Sequence, residues 1–221
     1  MRSRKKQWNQ TLHHHFQTQK SLYLFVTVLL MMGVIFGAVL VNVLDGTQKE
    51  GLLNYLGYFF QGLRQNEIAD PEIMFQHAIG DHLKTVGIMW ILGISIIGMP
   101  VILILIFLKG LVVGFTVGFL VHQLSWKGFW FAFVSVVPQN LFIIPAMIII
   151  AVLGLHFSIT LVRNRLIKHR GRIYPQFVSY SLVVTMLVGS LLVAAGMEAY
   201  LSPWLMKQTV PEVGMQALKL L

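Results

Sequence analysis

"LYLFVTVLLMMGVIFGAVLVNVL", Leu22–Leu44, carries no charge from end to end, and it decides the class of the chain. Five basic residues precede it: Arg2, Arg4, Lys5, Lys6 and Lys20. A secretory signal has that charge pattern, but its apolar region is roughly 7–15 residues long and closes on a small-residue cleavage site. This run is longer and closes on "VNVLDG", so it reads as a retained transmembrane helix over 21–44. The rest of the chain agrees. Of 221 residues 56% are hydrophobic and 11% charged, where a soluble domain carries about 25% charged residues.

Further apolar blocks predict an all-α polytopic membrane protein with five transmembrane helices. The segments read as a basic N-terminus 1–20, helix one at 21–44, and an extracytoplasmic loop at 45–85. Helix two follows at 86–108, helix three at 109–124, and a broken fourth segment at 125–162. A basic loop at 163–176, a fifth helix at 177–200 and a tail at 201–221 complete the chain. Lys109 and Gly110 mark the turn between helices two and three in this reading, with the Lys109 stem reaching the interface.

Charge sets the orientation. With the N-terminus inside, the cytoplasmic segments hold eleven of the seventeen Lys and Arg residues, and all eight Asp and Glu residues fall in or beside the external ones. The excess of Lys and Arg inside gives N-in and C-out. The run "RNRLIKHRGR", Arg163–Arg172, then lies beside anionic lipid, so a net charge of +9 does not imply a nucleic-acid partner. Trp126, Trp130 and Trp204 fall at the outer interface as anchors, with Trp90 about one turn inside it. The chain has no cysteine, which excludes disulfides and thiolate chemistry.

The loop 45–85 has structure of its own. In "QKEGLLNYLGYFFQGL", Leu52, Leu56, Phe59 and Leu63 recur at helical spacing, which marks a candidate partner-binding stripe. Asp70 and Pro71 then read as the N-cap and first residue of another helix. Short amphipathic helices here cover the outer membrane face, a partner, or the chain's own spans; amphipathicity does not choose among them. His77, Asp81 and His82 lack the i, i+4 His pair of a metal-binding helix, and no metal or cofactor is expected. The run His13–His15 is a polar cytoplasmic stretch.

Two features lie within the membrane. Gly110, Gly114 and Gly118 in "KGLVVGFTVGFLV" stand on one helix face, and Gly33 with Gly37 repeats the spacing. Such grooves admit a neighbouring backbone, within one subunit or across a homodimer. The second feature is "SVVPQNLFIIPA", Ser135–Ala146. The apolar block around it is too long for one straight span, and Pro138 predicts a break. Gln139 and Asn140 would repair the freed backbone groups, with Pro145 following. The membrane blocks carry no acid away from their ends, no nucleophile beside a base and no phosphate-binding loop. An enzyme is therefore not expected. A small-solute transporter or channel using the break at Pro138–Asn140 is the alternative.

Long stretches, "SLYLFVTVLLMMGVIFGAVLVN", "GIMWILGISIIGMPVILILIFLKGLVVGFTVGFLV", "WKGFWFAFVSVVPQNLFIIPA" and "EAYLSPWLM", closely resemble the stage II sporulation protein M family of endospore formers, from Ser21 to Met206. The resemblance implies a non-enzymatic membrane scaffold required for engulfment. It would anchor two peptidoglycan-degrading partners, the stage II sporulation proteins P and D, at the sporulation septum and the mother-cell engulfing membrane. Relatives often carry Pro-His-Gly with a Glu before a second Pro. Here Pro138 and Pro145 match the prolines, while Gln139, Asn140 and Ile143 replace the His, Gly and Glu. An architectural role fits these residues better than an ionisable one.

Overall fold

A computed structural model describes residues 19–65, 70–163 and 173–217. Every element among them is helical. Helix α1 is Lys20–Leu40, extended by a 3-10 turn at Val41–Val43; α2 is Gly46–Gln65 and α3 is Pro71–Ile94. Helix α4 is Gly98–Val162 and α5 is Ile173–Gly196; a π-helical turn, Met197–Leu201, joins α5 to α6, Ser202–Ala217. Three stretches, Lys20–Val43, Gly98–Val162 and Tyr174–Thr209, are long and apolar enough to cross a membrane. Large apolar side chains stay uncovered along α1, Phe25, Ile35 and Phe36 among them. Water would not tolerate so continuous an apolar surface, and lipid does.

At 65 residues, α4 would measure about 98 Å if straight, three times the ~30 Å hydrocarbon layer. It is not straight. Ser125, at φ 51° and ψ −132°, is the one residue in it outside helical geometry. There the chain doubles back. Leu120 lies against Gly128, and far below the turn Ile102 touches Gly154. The arms, α4a (98–124) and α4b (126–162), therefore form an antiparallel hairpin. Gly128 makes its neck possible, since a methyl group there would strike the Leu120 carbonyl.

The predicted break at Pro138 is thus corrected: the reversal is at Ser125, and α4b runs helically through both Pro138 and Pro145. A helix interior tolerates proline where surrounding structure fixes its path. The reversal instead follows the polar interruption of the apolar pattern, with His122, Gln123, Ser125 and Lys127 close together. A serine at this φ and ψ holds strain of order 1–3 kcal/mol. Ser125→Gly should raise the stability of the detergent-solubilised protein by about 1 kcal/mol. A thermal unfolding midpoint that failed to rise would place a compensating interaction on the serine side chain.

The junction between the second and third helices is also corrected. The chain turns at 95–97, not at 108–109. Ser95 N–H donates to the Leu92 carbonyl (3.0 Å), Gly98 N–H to the Ser95 carbonyl (3.2 Å), and Ser158 Oγ from α4b donates to the same Ser95 carbonyl (2.8 Å). Lys109 and Gly110 sit inside a continuous helix. The second helix likewise starts at Pro71 rather than 86, capped by Asp70, whose Oδ1 accepts from Glu72 N–H at 3.1 Å. Trp90 therefore lies near the turn at 95–97, remote from the end where α3 begins, and its Nε1–H donates to Ser181 Oγ at 3.1 Å. Within the tail, Ser202–Ala217 is helical.

Helices α1 and α4a run side by side in the same direction, since Gly110 meets Leu30 and Gly118 meets Ala38. The main core joins Val26, Met89, Ile102, Ile106, Ile150 and Val152 from four helical segments. A second, smaller core lies at the hairpin end, where Phe60 and Leu63 of α2 pack with Leu120, Phe131 and Ala132 of the hairpin. Leu56 and Met206 border it, so α2 and α6 are laid over the bundle as a cap.

Candidate functional site

The cap begins with a reciprocal helix start. Asp45 Oδ1 accepts from Gln48 N–H (2.9 Å) and from Thr47 Oγ1–H (2.9 Å), while Asp45 N–H donates to Gln48 Oε1 (3.3 Å). This capping box satisfies donors that the first turn of α2 would otherwise leave open. The Gln48 N–H, and then the Thr47 hydroxyl, hold the Asp45 carboxyl below its ordinary value. The depressed pKa means that the carboxylate's contribution is complete above the ordinary aspartate range and fades only as pH falls through the lowered value. Asp45→Ala should speed amide exchange in the first turn of α2 at neutral pH. In the unaltered protein the protection of those amides, relative to the intrinsic exchange rate at each pH, should stay level between about pH 8 and pH 5, above the ordinary Asp pKa of ~3.9.

Helix α2 presents two faces. Phe60 and Leu63 are buried, and the Phe60 ring meets Phe131 edge-on at 5.1 Å between centroids. Leu56 borders the same core, and Leu52 is half-buried. The proposed stripe Leu52, Leu56, Phe59 and Leu63 is therefore divided: Leu56 and Leu63 are occupied by the chain's own packing. Phe59 is 40% exposed, and beside it Tyr55 and Tyr58 stand out at 74% and 75%. Apolar spacing selects the inward face of α2, with Tyr55 beside it, and gives no signal for Tyr58.

The polar stretch on α4b makes one hydrogen bond within its own helix and one to another. Asn140 Nδ2 donates to the Val136 carbonyl at 2.8 Å, and Ser202 Oγ donates to Gln139 Oε1 at 3.2 Å. Gln139 thus ties α4b to the start of α6. Neither amide spans a gap in the helix, because there is none. Asn140 Oδ1 is buried without a hydrogen-bond partner. Pro138 and Pro145 lie on the same uninterrupted helix.

The glycines interlock α1 and α4a within one chain. A methyl group at Gly33 would meet the Phe107 carbonyl, and one at Gly37 the Leu111 carbonyl. From the other side, Gly110 faces the Leu30 carbonyl, Gly114 that of Val34, and Gly118 the Ala38 backbone.

Ionisable side chains also meet inside the bundle. His82 Nε2 of α3 lies 3.4 Å from Glu198 Oε2 of the π turn. Lys109 is half-buried on α4a, next to Gly110. Asp81 is 3.6 Å from Lys84 at the surface. The sequence pattern places Lys109 at a turn and Glu198 at the edge of a span; the signal for the His82–Glu198 contact is the isolated acid in an otherwise apolar segment. This group does not continue through the bundle. Toward the turn at 95–97 it gives way to buried Val86, Met89, Ile102 and Ile106, before the contacts of Trp90 and Ser158. The basic segments 1–18 and 164–172, with His13–His15, lie outside the described residues.

Compared with known proteins, residues 26–203 match the family model of stage II sporulation protein M. No curated protein and no solved structure matches the chain.

Proposed function

The chain belongs to the stage II sporulation protein M family, a family of sporulation membrane proteins and not a known enzyme family, and from that premise we propose that it is a scaffold for engulfment. It crosses the membrane five times, N-in and C-out, and anchors the peptidoglycan-degrading stage II sporulation proteins P and D at the septal and engulfing membranes. The partners supply the hydrolytic chemistry.

The observation that carries this reading is the aromatic face of α2. Tyr55, Tyr58 and Phe59 project from a helix whose other side is fixed to the bundle, a rigid base for a docking surface. The five-span path is supported by the fold: α1 and α4a are parallel, while α4a and α4b form a hairpin. Moving Lys109 into a helix leaves ten Lys and Arg residues in the two basic segments 1–20 and 163–172, and none of the eight acids falls in either segment, which favours the N-in orientation.

The transporter reading draws on half-helix ends at membrane depth. The unbroken helix at Pro138–Asn140 offers none, so the scaffold is the better-supported reading. Affinity purification from crosslinked sporulating cells tests it. The two partners should come down with the protein in a fixed ratio; recovery of the protein alone, while folded and abundant, would remove the scaffold.

A further inference from the structure

Among the described residues three stretches are apolar enough to cross a membrane, and α3 is not one of them. Its contacts still carry it through the hydrocarbon layer. That layer is bracketed by α1, which is uncharged between Lys20 and Asp45. Gly110 packs on Leu30 of the parallel α1, so Ile102, eight residues below Gly110, stands level with Leu22 at the inner edge. Ile102 touches Gly154, and Gly154 in turn meets Gly93 of α3. From that edge α3 climbs beside α5. Trp90 bonds to Ser181, and farther up the Phe75 ring neighbours Tyr200, 6.1 Å between centroids.

Lys84 is nine residues above Gly93 and Asp81 twelve, about 14 Å and 18 Å at the helical rise. Both heights fall inside the ~30 Å layer, and a tilt of α3 only lowers them. Lys84 Nζ is 3.6 Å from Asp81 Oδ1, and both side chains are 77% exposed. A charge pair open to hydrocarbon at that depth is costly, and such groups face protein or water instead. A further charge stands at the same level on another element. Glu198 of the π turn, 36% exposed, lies 3.4 Å from His82, the residue after Asp81.

Polarity is graded along this face of α3. His77, Asp81 and Lys84 recur at helical spacing and are exposed. The next two positions on the face, Ile88 and Ile91, are exposed and apolar. The polar part thus joins the outer side and stops in mid-layer. Asp81 and Lys84 already neutralise each other, so the face calls for a medium of high dielectric rather than for a charged partner. We propose that water enters from the outer side along α3, and that Asp81, Lys84 and Glu198 line a hydrated cleft reaching about half the depth of the ~30 Å layer. Buried Val86 and Met89 close the interior below it, so the cleft is a blind vestibule for water and small hydrated solutes. Its outer opening rests on the N-in, five-span path proposed above, and it is independent of what α2 binds.

The native chain has no cysteine. Gly80 and Gly87 of α3 have open space where a side chain would begin, so a single cysteine at either leaves the charge pair intact. Gly80 stands thirteen residues above Gly93, the same height as Ile35 above Leu22, and Ile35 is exposed on the apolar face of α1. Intact protoplasts carrying Gly80→Cys, Gly87→Cys or Ile35→Cys are treated with a charged, membrane-impermeant maleimide. The thiolate is the reacting form, and apolar surroundings suppress it. Gly80→Cys should react about ten-fold or more faster than Ile35→Cys, while Gly87→Cys should stay as slow as Ile35→Cys. Equal rates at 80 and 35 would overturn the cleft, whether lipid, a second copy or a partner's span covers the face. Rapid reaction at 87 would overturn its floor. Glu50→Cys, near the start of α2, reports orientation. Labelling at 50 only after the protoplasts are opened would refute the N-in path itself, whereas labelling at 50 without labelling at 80 refutes the cleft alone.

Discussion

Gly114→Leu should abolish accumulation of folded protein. The methyl group of even an alanine at 114 would run into the backbone of Val34, and at Gly37 into the carbonyl of Leu111. Neither neighbour is a side chain that can rotate aside. In a bilayer these helices gain little from apolar burial, because lipid is as apolar as a side chain, and close backbone approach supplies the attraction instead. Separating them along Gly33, Gly37, Gly110, Gly114 and Gly118 forfeits that packing over the whole interface. Overpacking a core commonly costs about 1–3 kcal/mol where side chains can adjust. With backbone on both sides a leucine should exceed ~3 kcal/mol, a large part of a typical folding free energy of about 5–15 kcal/mol. Size-exclusion profiles and thermal unfolding in mild detergent provide the measurement. A stable, monodisperse Gly114→Leu protein would mean that α1 is not seated on α4a.

A second large effect is expected at Gly93. A side chain there would meet the Tyr180 hydroxyl and the Cα of Gly154, the point where α3, α4b and α5 converge. Tyr180 is buried, its ring stacked on Phe157 at 5.5 Å. Its hydroxyl donates only weakly, at 3.4 Å to the Met89 carbonyl and 3.5 Å to that of Trp90. Gly93→Ala should lower stability by about 2 kcal/mol. Tyr180→Phe should cost less, on the order of 1 kcal/mol, since it removes long hydrogen bonds and keeps the ring. Combining them should be better than additive, because loss of the hydroxyl clears space for the alanine methyl. Unfolding midpoints of the two single variants and the double variant form the cycle. Strict additivity would show that the hydroxyl and Gly93 do not share that space.

The membrane class was legible because it depends only on composition and on unbroken apolar runs. The Asp70–Pro71 helix start was legible too, since capping chemistry is local. The turns inside the membrane were harder. Lys109 looks like a boundary because a charge within lipid is costly, yet the structure places it inside a continuous helix, beside the glycine groove at Gly110. The true turn was marked more quietly, by Ser95, Gly98 and Pro100, with Pro100 in the first turn of the following helix. Pro138 misled in the opposite way. Proline penalises a helix by removing one donor and crowding one carbonyl, whereas the hairpin Pro138 belongs to is closed at Ser125 and held along its length by packing. The candidate surface was half legible. Periodicity located an amphipathic helix over the right residues, but the side that looks most apolar is the side the chain uses for itself.

The central claim is that Tyr55, Tyr58 and Phe59 face the cell-wall-degrading partners. The most direct test places a photoreactive amino acid at position 58 in sporulating cells, with a control at Ile35 on the lipid-facing side of α1. After irradiation, position 58 should yield covalent adducts with stage II sporulation protein P or D, and position 35 should not. Adducts absent at 58, in a protein that is folded and present at the septum, would contradict the claim and move the docking surface away from α2.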